Sequence, residues 1–163
     1  MSRLPMILIA CLLGAGLFAG CGEGGASAGA QVRIYVSAPL HGDEAGAGRK
    51  LCEGARGEAA RAGAEVEDLK LEVVCLDAAG DGGRWTLAKV GSNARMATED
   101  STAVAYVGEP DRRARKQSRP IVDAAEIAEI GGTSGRDAVA KVIAAIAEGD
   151  ESEPRSDVFK AEG

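Results

Sequence analysis

The chain has 163 residues, a formal net charge of −6 at pH 7 and a sequence pI of about 4.9. An acidic chain with only 3% aromatic residues lacks the basic excess that nucleic-acid binding needs and the rings that stack on bases or sugars. Its single histidine excludes any mechanism that requires two imidazoles. The composition therefore predicts one small domain that does not bind nucleic acid.

The N-terminal 20 residues have the pattern of a cleavable secretion signal. Arg3 is their only charge, and the apolar run at 6–18 is too short to span a bilayer. The run ends in Ala19, Gly20 and Cys21, which resembles the lipobox of bacterial lipoproteins. We predict a signal at 1–20, a fatty-acyl (palmitate-type) anchor on Cys21 and a glycine-rich tether at 21–30. The protein is then anchored to the cell membrane outside the cytoplasm, and the alternative is an ordinary signal peptide with a chance cysteine.

Two cysteines remain after the signal and the lipid-bearing residue are set aside. An even pair outside the cytoplasm is usually a disulfide, and the alternative is two buried free thiols. Without clustered His or Asp, two cysteines are a poor ligand set, so no metal site is expected. The pair is Cys52 and Cys75.

The region after the tether opens with alternating strand and helix patterns. Residues 32–36 predict a strand, and residues 46–63 place small apolar residues on one helical face. Residues 69–76 predict a second strand, and residues 85–98 a second helix. The predicted buried faces are Leu51, Ala55, Ala59 and Ala62 in the first helix, and Leu87, Val90, Ala94 and Ala97 in the second.

The second half continues the alternation. Residues 103–107 are an apolar run typical of a strand buried on both faces. Residues 112–118 and 120–126 are helical in pattern, with a break expected at Pro120, and residues 128–130 form at most a short strand. Ser134 and Asp137 form a capping pair before a last amphipathic helix that Gly149 ends. The predicted buried face of that helix is Val139, Val142, Ile143 and Ile146.

This order of elements predicts an α/β fold, a parallel sheet flanked by helices, over residues 31–149, followed by a polar tail at 150–163. In such sheets, ligands bind at the loops that leave the carboxyl ends of the strands. The candidate ligand-binding residues in these loops are Ser37, His41, Asp77, Glu109 and Arg112.

Several of these segments resemble a known family. Residues 36–42 (VSAPLHG) are similar to the opening of type I periplasmic binding proteins of the branched-chain amino-acid class, the solute receptors of ABC importers. The strand ending in Asp77, the strand before Gly108 and residues 135–138 (GRDA) follow in the family's order, over about residues 32–160. The resemblance implies the family's first lobe, an ABC permease as partner and, as in some members, a disulfide between Cys52 and Cys75.

The sequence departs from that family in two ways. Family members hold their ligand between two lobes, but here only about five residues separate Ile130 from the last helix, as if the second lobe were excised. That helix is then expected to pack on the same sheet as the first three strands, and the edge that carries the candidate residues is expected to face solvent, because the second lobe is absent. In addition, the family's Ser/Thr-rich loop after the third strand is replaced by residues 112–115 (RRAR), so a standard amino-acid site is not expected.

The sequence thus predicts a membrane-anchored lipoprotein that resembles solute-binding proteins, an accessory or degenerate component of a branched-chain amino-acid type importer. The alternatives are a repurposed protein-interaction module, docking a permease or an intact receptor, and a remnant without a ligand. No enzyme activity is expected, and no cofactor, because no glycine-rich segment completes a nucleotide-binding motif. The cationic segment at 112–119 either recruits an anion, lipid headgroup or acidic partner, or is simply a solvated face.

Overall fold

Strands and helices alternate along the chain in the computed structural model, which describes residues 30–62 and 69–148. The predicted signal, the predicted lipid site at Cys21 and the polar tail lie outside the described residues. The alternation confirms the predicted α/β class. The elements are β1 (Ala30–Ala38), α1 (Ala45–Ala62), β2 (Leu69–Asp77), α2 (Leu87–Thr98), β3 (Ala103–Val107), α3 (Arg112–Asp123), β4 (Ala128–Ile130) and α4 (Gly135–Glu148).

The four strands form one parallel sheet in the order β2-β1-β3-β4. β1 and β2 end level with each other, at Ala38 and Asp77, and β3 ends two positions earlier, at Val107 opposite Val36. Two hydrophobic clusters cover the two faces of this sheet, one with α1 and α4 and the other with α2 and α3. Because the strands are parallel, the loops after β1, β2 and β3 share one edge.

The last helix packs as the sequence predicts, with one correction. Val139 and Val142 are fully buried in the same cluster as Ile34 of β1, which places α4 on the sheet beside α1. Ile143 and Ile146, predicted to be buried, are only partly so. The physical reason is that α4 packs mainly on α1, and the neighbouring edge strand β4 has only three residues to cover it.

A glycine allows α4 to approach α1 closely. A Cβ atom on Gly135 would lie 1.8 Å from the carbonyl oxygen of Leu51 and 2.8 Å from the backbone nitrogen of Ala55. Any side chain at this position would therefore push the helices apart. The capping pair just before it is confirmed, because the backbone N–H of Asp137 donates to Ser134 Oγ at 3.2 Å.

Two other expectations from the sequence are wrong. Leu87, placed on the buried face of α2, is 59% exposed. Thr86 caps the helix, so Leu87 is its first residue, and it lies outside the face on which Val90, Ala94 and Ala97 are buried. Pro120 does not break the helix, since α3 continues to Asp123. The proline lies on the exposed side, where water can satisfy the backbone carbonyl that loses its donor, while buried Ser118 and Val122 hold the helix on the sheet.

The predicted cysteine pair is bonded. Cys52 of α1 and Cys75 of β2 form a disulfide with a Cα–Cα distance of 6.0 Å, within the usual range of about 4.4–6.8 Å. The bond fixes α1 to the edge strand of the sheet. Within the described ranges, no helix has the length and apolarity needed to cross a membrane.

Candidate functional site

The five candidate residues all lie at the carboxyl edge of the sheet, but they do not form one site. Ser37 is near the end of β1, Asp77 ends β2, and Glu109 follows β3 by two residues. His41 lies in the loop after β1, and Arg112 begins α3. The structure pairs Ser37 with Glu109 and His41 with Asp77, and leaves Arg112 apart from both pairs.

The pair formed by His41 and Asp77 lies at the surface. His41 Nδ1 hydrogen-bonds Asp77 Oδ2, and His41 Nε2 lies 3.1 Å from the carbonyl oxygen of Gly80. Both partners are acceptors, so both ring nitrogens donate in the protonated form. The other carboxylate oxygen, Asp77 Oδ1, accepts from the backbone N–H groups of Leu40 and Ala79 at 2.8 and 2.9 Å. Asp77 therefore joins the first two edge loops.

The hydrogen bonds of this pair favour its charged state. The bond to the Asp77 carboxylate raises the pKa of His41 above its ordinary value. Partial burial opposes ionisation of Asp77, but the N–H groups of Leu40 and Ala79, and then His41, outweigh it and lower its pKa. Because both of its ring nitrogens are hydrogen-bonded, His41 links the loops after β1 and β2 and is not available as a free base in this structure.

The pair formed by Ser37 and Glu109 is buried inside the protein. The hydroxyl of Ser37 donates to Glu109 Oε1, and it accepts from Asn93 Nδ2 of α2 at 2.8 Å. Ser37 and Glu109 are both fully buried, and Asn93 is nearly so. The expectation of a solvent-facing edge is therefore wrong for these two residues, because α2 and the segment leading into α3 close over the ends of β1 and β3.

Glu109 is a carboxyl group with incomplete hydrogen bonding. Its Oε2 atom is buried without a partner among the described residues, and so is the hydroxyl of Tyr106 on β3. Burial raises the pKa of Glu109, against the bond from Ser37. Burial also raises the pKa of Tyr106, and the charge of Glu109 raises it further. The sequence predicts Glu109 only by position and gives no signal of its burial.

A second buried carboxyl lies beside the first and was missed by sequence reasoning. Glu129 of β4 pairs in register with Tyr106, and its side chain is 1% exposed. It accepts from Ser118 Oγ at 2.7 Å and lies 3.4 Å from Arg119 Nε. Burial raises its pKa in spite of these partners. The sequence carries no signal for this, because only the register between β3 and β4 places Glu129 on the same face as Tyr106.

The arginines after β3 have different roles. Arg115 donates from Nη1 to the backbone carbonyl oxygens of Glu109 and Pro110 at 2.7 and 2.9 Å, so it holds the loop in place. Arg112 is exposed and has no acidic partner in the described part of the chain.

Across that same part, no group of three or more His, Cys, Asp or Glu could hold a metal ion.

The fold is similar to parts of several solute-binding proteins of known structure. The chain matches a possible leucine/isoleucine/valine-binding protein from Rhodopirellula baltica with a TM-score of 0.54 and 20% identity, over 62% of this chain and 27% of that one. A leucine binding protein from Thermotoga maritima gives 0.53 and 22%, over 61% and 27%. An ABC transporter substrate-binding protein from Sphaerobacter thermophilus gives 0.54 and 21%, over 64% and 27%. The fold is that of one lobe of a type I periplasmic binding protein.

The chain spans about a quarter of the length of the solved chains it matches. At these identities the similarity establishes the fold alone. No protein-family model and no curated protein matches the chain.

Proposed function

We propose that the chain is a membrane-anchored, extracytoplasmic relative of the solute-binding proteins of ABC importers, with a binding or accessory role and no catalysis. The observation that supports it most directly is the fold, which it shares with proteins described as leucine-binding and substrate-binding. The N-terminal signal pattern and Cys21 support the anchor. An accessory role would make an ABC permease, or an intact receptor, its partner.

The chemistry of the edge argues for an accessory role over capture of a free amino acid. The hydroxyl of Ser37 already donates to Glu109, so it is not available to a ligand carboxylate. When Glu109 ionises, its charge repels an anion at the same place. A single lobe also buries too little of a small polar ligand to bind it tightly, since pockets normally enclose most of a ligand's surface.

Calorimetric titration of the full chain with branched-chain and polar amino acids tests this role. We expect affinities no better than about millimolar, or roughly −4 kcal/mol, for every amino acid. The experiment is run at concentrations where the chain is monomeric and again where it is not. Micromolar binding by the monomer would contradict the proposal, and micromolar binding only by a dimer would mean that a second copy supplies the missing jaw.

The anchor has a separate test in living cells. In Cys21→Ser, we expect no incorporation of labelled fatty acid, and chains that have lost the leader should appear in the soluble fraction. Cys11→Ser is the matched control, because Cys11 lies within the same predicted leader but carries no lipid, and it should label and fractionate like the unchanged protein. A processed Cys21→Ser chain that stays with the membrane would show that the anchor lies elsewhere.

A further inference from the structure

The outer layer formed by α2 and α3 is strongly basic although the chain is acidic. The two helices carry seven Arg or Lys and one Asp, a net formal charge of +6, against −6 for the whole chain. The rest of the chain is therefore at −12. The opposite layer, α1 and α4, has six basic and four acidic residues and is nearly balanced. The positive charge is thus concentrated on one side of the sheet.

Most of these cations are free to meet a partner. We call the exposed set Lys89, Arg95, Arg112, Arg113 and Lys116 the basic face. Four of them have no acidic partner within the described ranges, and Arg113 only approaches Asp111 at 3.6 Å while remaining 82% exposed. A face whose charges were satisfied internally would show ion pairs, so this one is available to an external anionic surface.

The same layer exposes apolar side chains. Leu87 and Met96, 59% and 46% exposed, are the large hydrophobic residues that the described part of the chain leaves in solvent, and both lie on α2. Exposed apolar residues among Lys and Arg are the composition of helices that lie in the headgroup region of a bilayer. A soluble acidic partner would explain the charges but gives no reason for the two apolar side chains.

The position of the chain entry brings this layer within reach of a membrane. Asp100, just after α2, accepts from Arg33 Nη1 of β1 at 2.9 Å, so the end of α2 lies near the start of the first strand. Ala30 follows Cys21 by nine positions, a contour length of roughly 30 Å. That exceeds the length of α2, about 18 Å for 12 residues. A lipid on Cys21 therefore leaves enough chain for the layer to lie flat on the bilayer.

From these observations we infer that the basic face docks on anionic phospholipid headgroups of the membrane that anchors the chain. The inference rests on the proposed anchor. Each Lys or Arg close to an anionic surface adds to the attraction, which fades within a Debye length of about 10 Å at 0.1 M salt. The acidic remainder of the chain is repelled by the same surface, which selects one orientation of the lobe, with the layer of α2 and α3 toward the bilayer.

Trp85 gives an intrinsic probe of docking. It is the single tryptophan of the chain, lies two residues before Leu87 and donates from Nε1 to Asp111 Oδ2, just before α3, at 3.3 Å. The full chain is reconstituted with vesicles of phosphatidylcholine alone, or with 30% phosphatidylglycerol, each carrying a headgroup-attached quencher. Quenching of Trp85 should require phosphatidylglycerol and disappear in 0.5 M NaCl. Equal quenching in both vesicles, or quenching that salt does not reduce, would overturn the inference.

Charge-reversal variants locate the surface. Arg112→Glu with Lys116→Glu should lower the ratio of docked to undocked chain at least tenfold, whereas Lys50→Glu with Arg56→Glu, exposed on α1 and equal in charge change, should leave it within twofold. An equal loss in both variants would show that net charge, not the basic face, is responsible. Co-sedimentation with phosphatidylcholine vesicles reports the anchor separately, so a missing anchor and a missing face give different results.

Discussion

Replacing both Cys52 and Cys75 with Ala is expected to lower the free energy of unfolding by about 3 kcal/mol, the chain-entropy value for a closed loop of this length. Without the bond, the unfolded chain gains the conformational entropy of the loop between Cys52 and Cys75, which favours unfolding. In the folded state the bond joins α1 to β2, an edge strand that is paired on one side only. The corresponding fall in Tm is roughly 10–20 °C.

Thermal unfolding with and without a reductant checks this prediction and supplies its control. Reductant should lower the Tm of the unchanged chain to near that of the double variant, and it should have no effect on the double variant itself. A Tm that is insensitive to reductant, or titration of both thiols in the denatured, unreduced protein, would mean that Cys52 and Cys75 are not bonded.

Glu109→Gln is expected to stabilise the protein increasingly as pH rises. The folded state raises the pKa of Glu109, so its contribution to stability is fully present below the unfolded pKa of about 4.3 and is lost as pH rises through the folded pKa. Above that pKa the fold must hold a buried carboxylate with one oxygen unpartnered, at a cost of about 1–3 kcal/mol. Gln keeps an acceptor for Ser37 and carries no charge.

Denaturant unfolding of both proteins at pH 3, 7 and 9 measures the effect. The stability gap between Glu109→Gln and the unchanged chain should be near zero at pH 3, below the unfolded pKa, and reach about 1–3 kcal/mol above the folded pKa. Glu53→Gln is the matched control, since Glu53 is exposed on α1, and its gap should stay flat. His41, whose pKa is also raised, is bonded to Asp77, acts alike in both proteins and cancels from the gap. The charge of Glu129 adds to the cost of ionising Glu109, so its effect is part of the gap. A gap that does not change with pH would contradict the account of Glu109.

From the sequence alone, the candidate site residues could be assigned to the carboxyl edge of the sheet, but not to pairs within it. Strand-end positions identify Ser37, Asp77 and Glu109, since parallel strands finish at the same edge and the loops there are readable as turns. Partners that come from distant elements leave no such pattern. Asn93 is on α2 and reaches Ser37 across 56 residues, and Glu129 on β4 comes to lie near Glu109 because of strand order. Single-sequence periodicity carries no information about such contacts.

By itself the sequence determined the element order, the parallel α/β class, the cysteine pair and the capping of α4. These follow from local physics: side-chain periodicity, turn residues and the composition of each segment act over a few residues. Only the tertiary structure decided that Ser37 and Glu109 are buried together, that α3 runs through Pro120, and that Leu87 is exposed on the same layer as the basic face. Those outcomes depend on which helix covers which strand ends, because burial and free charge are set by packing between elements far apart in the chain.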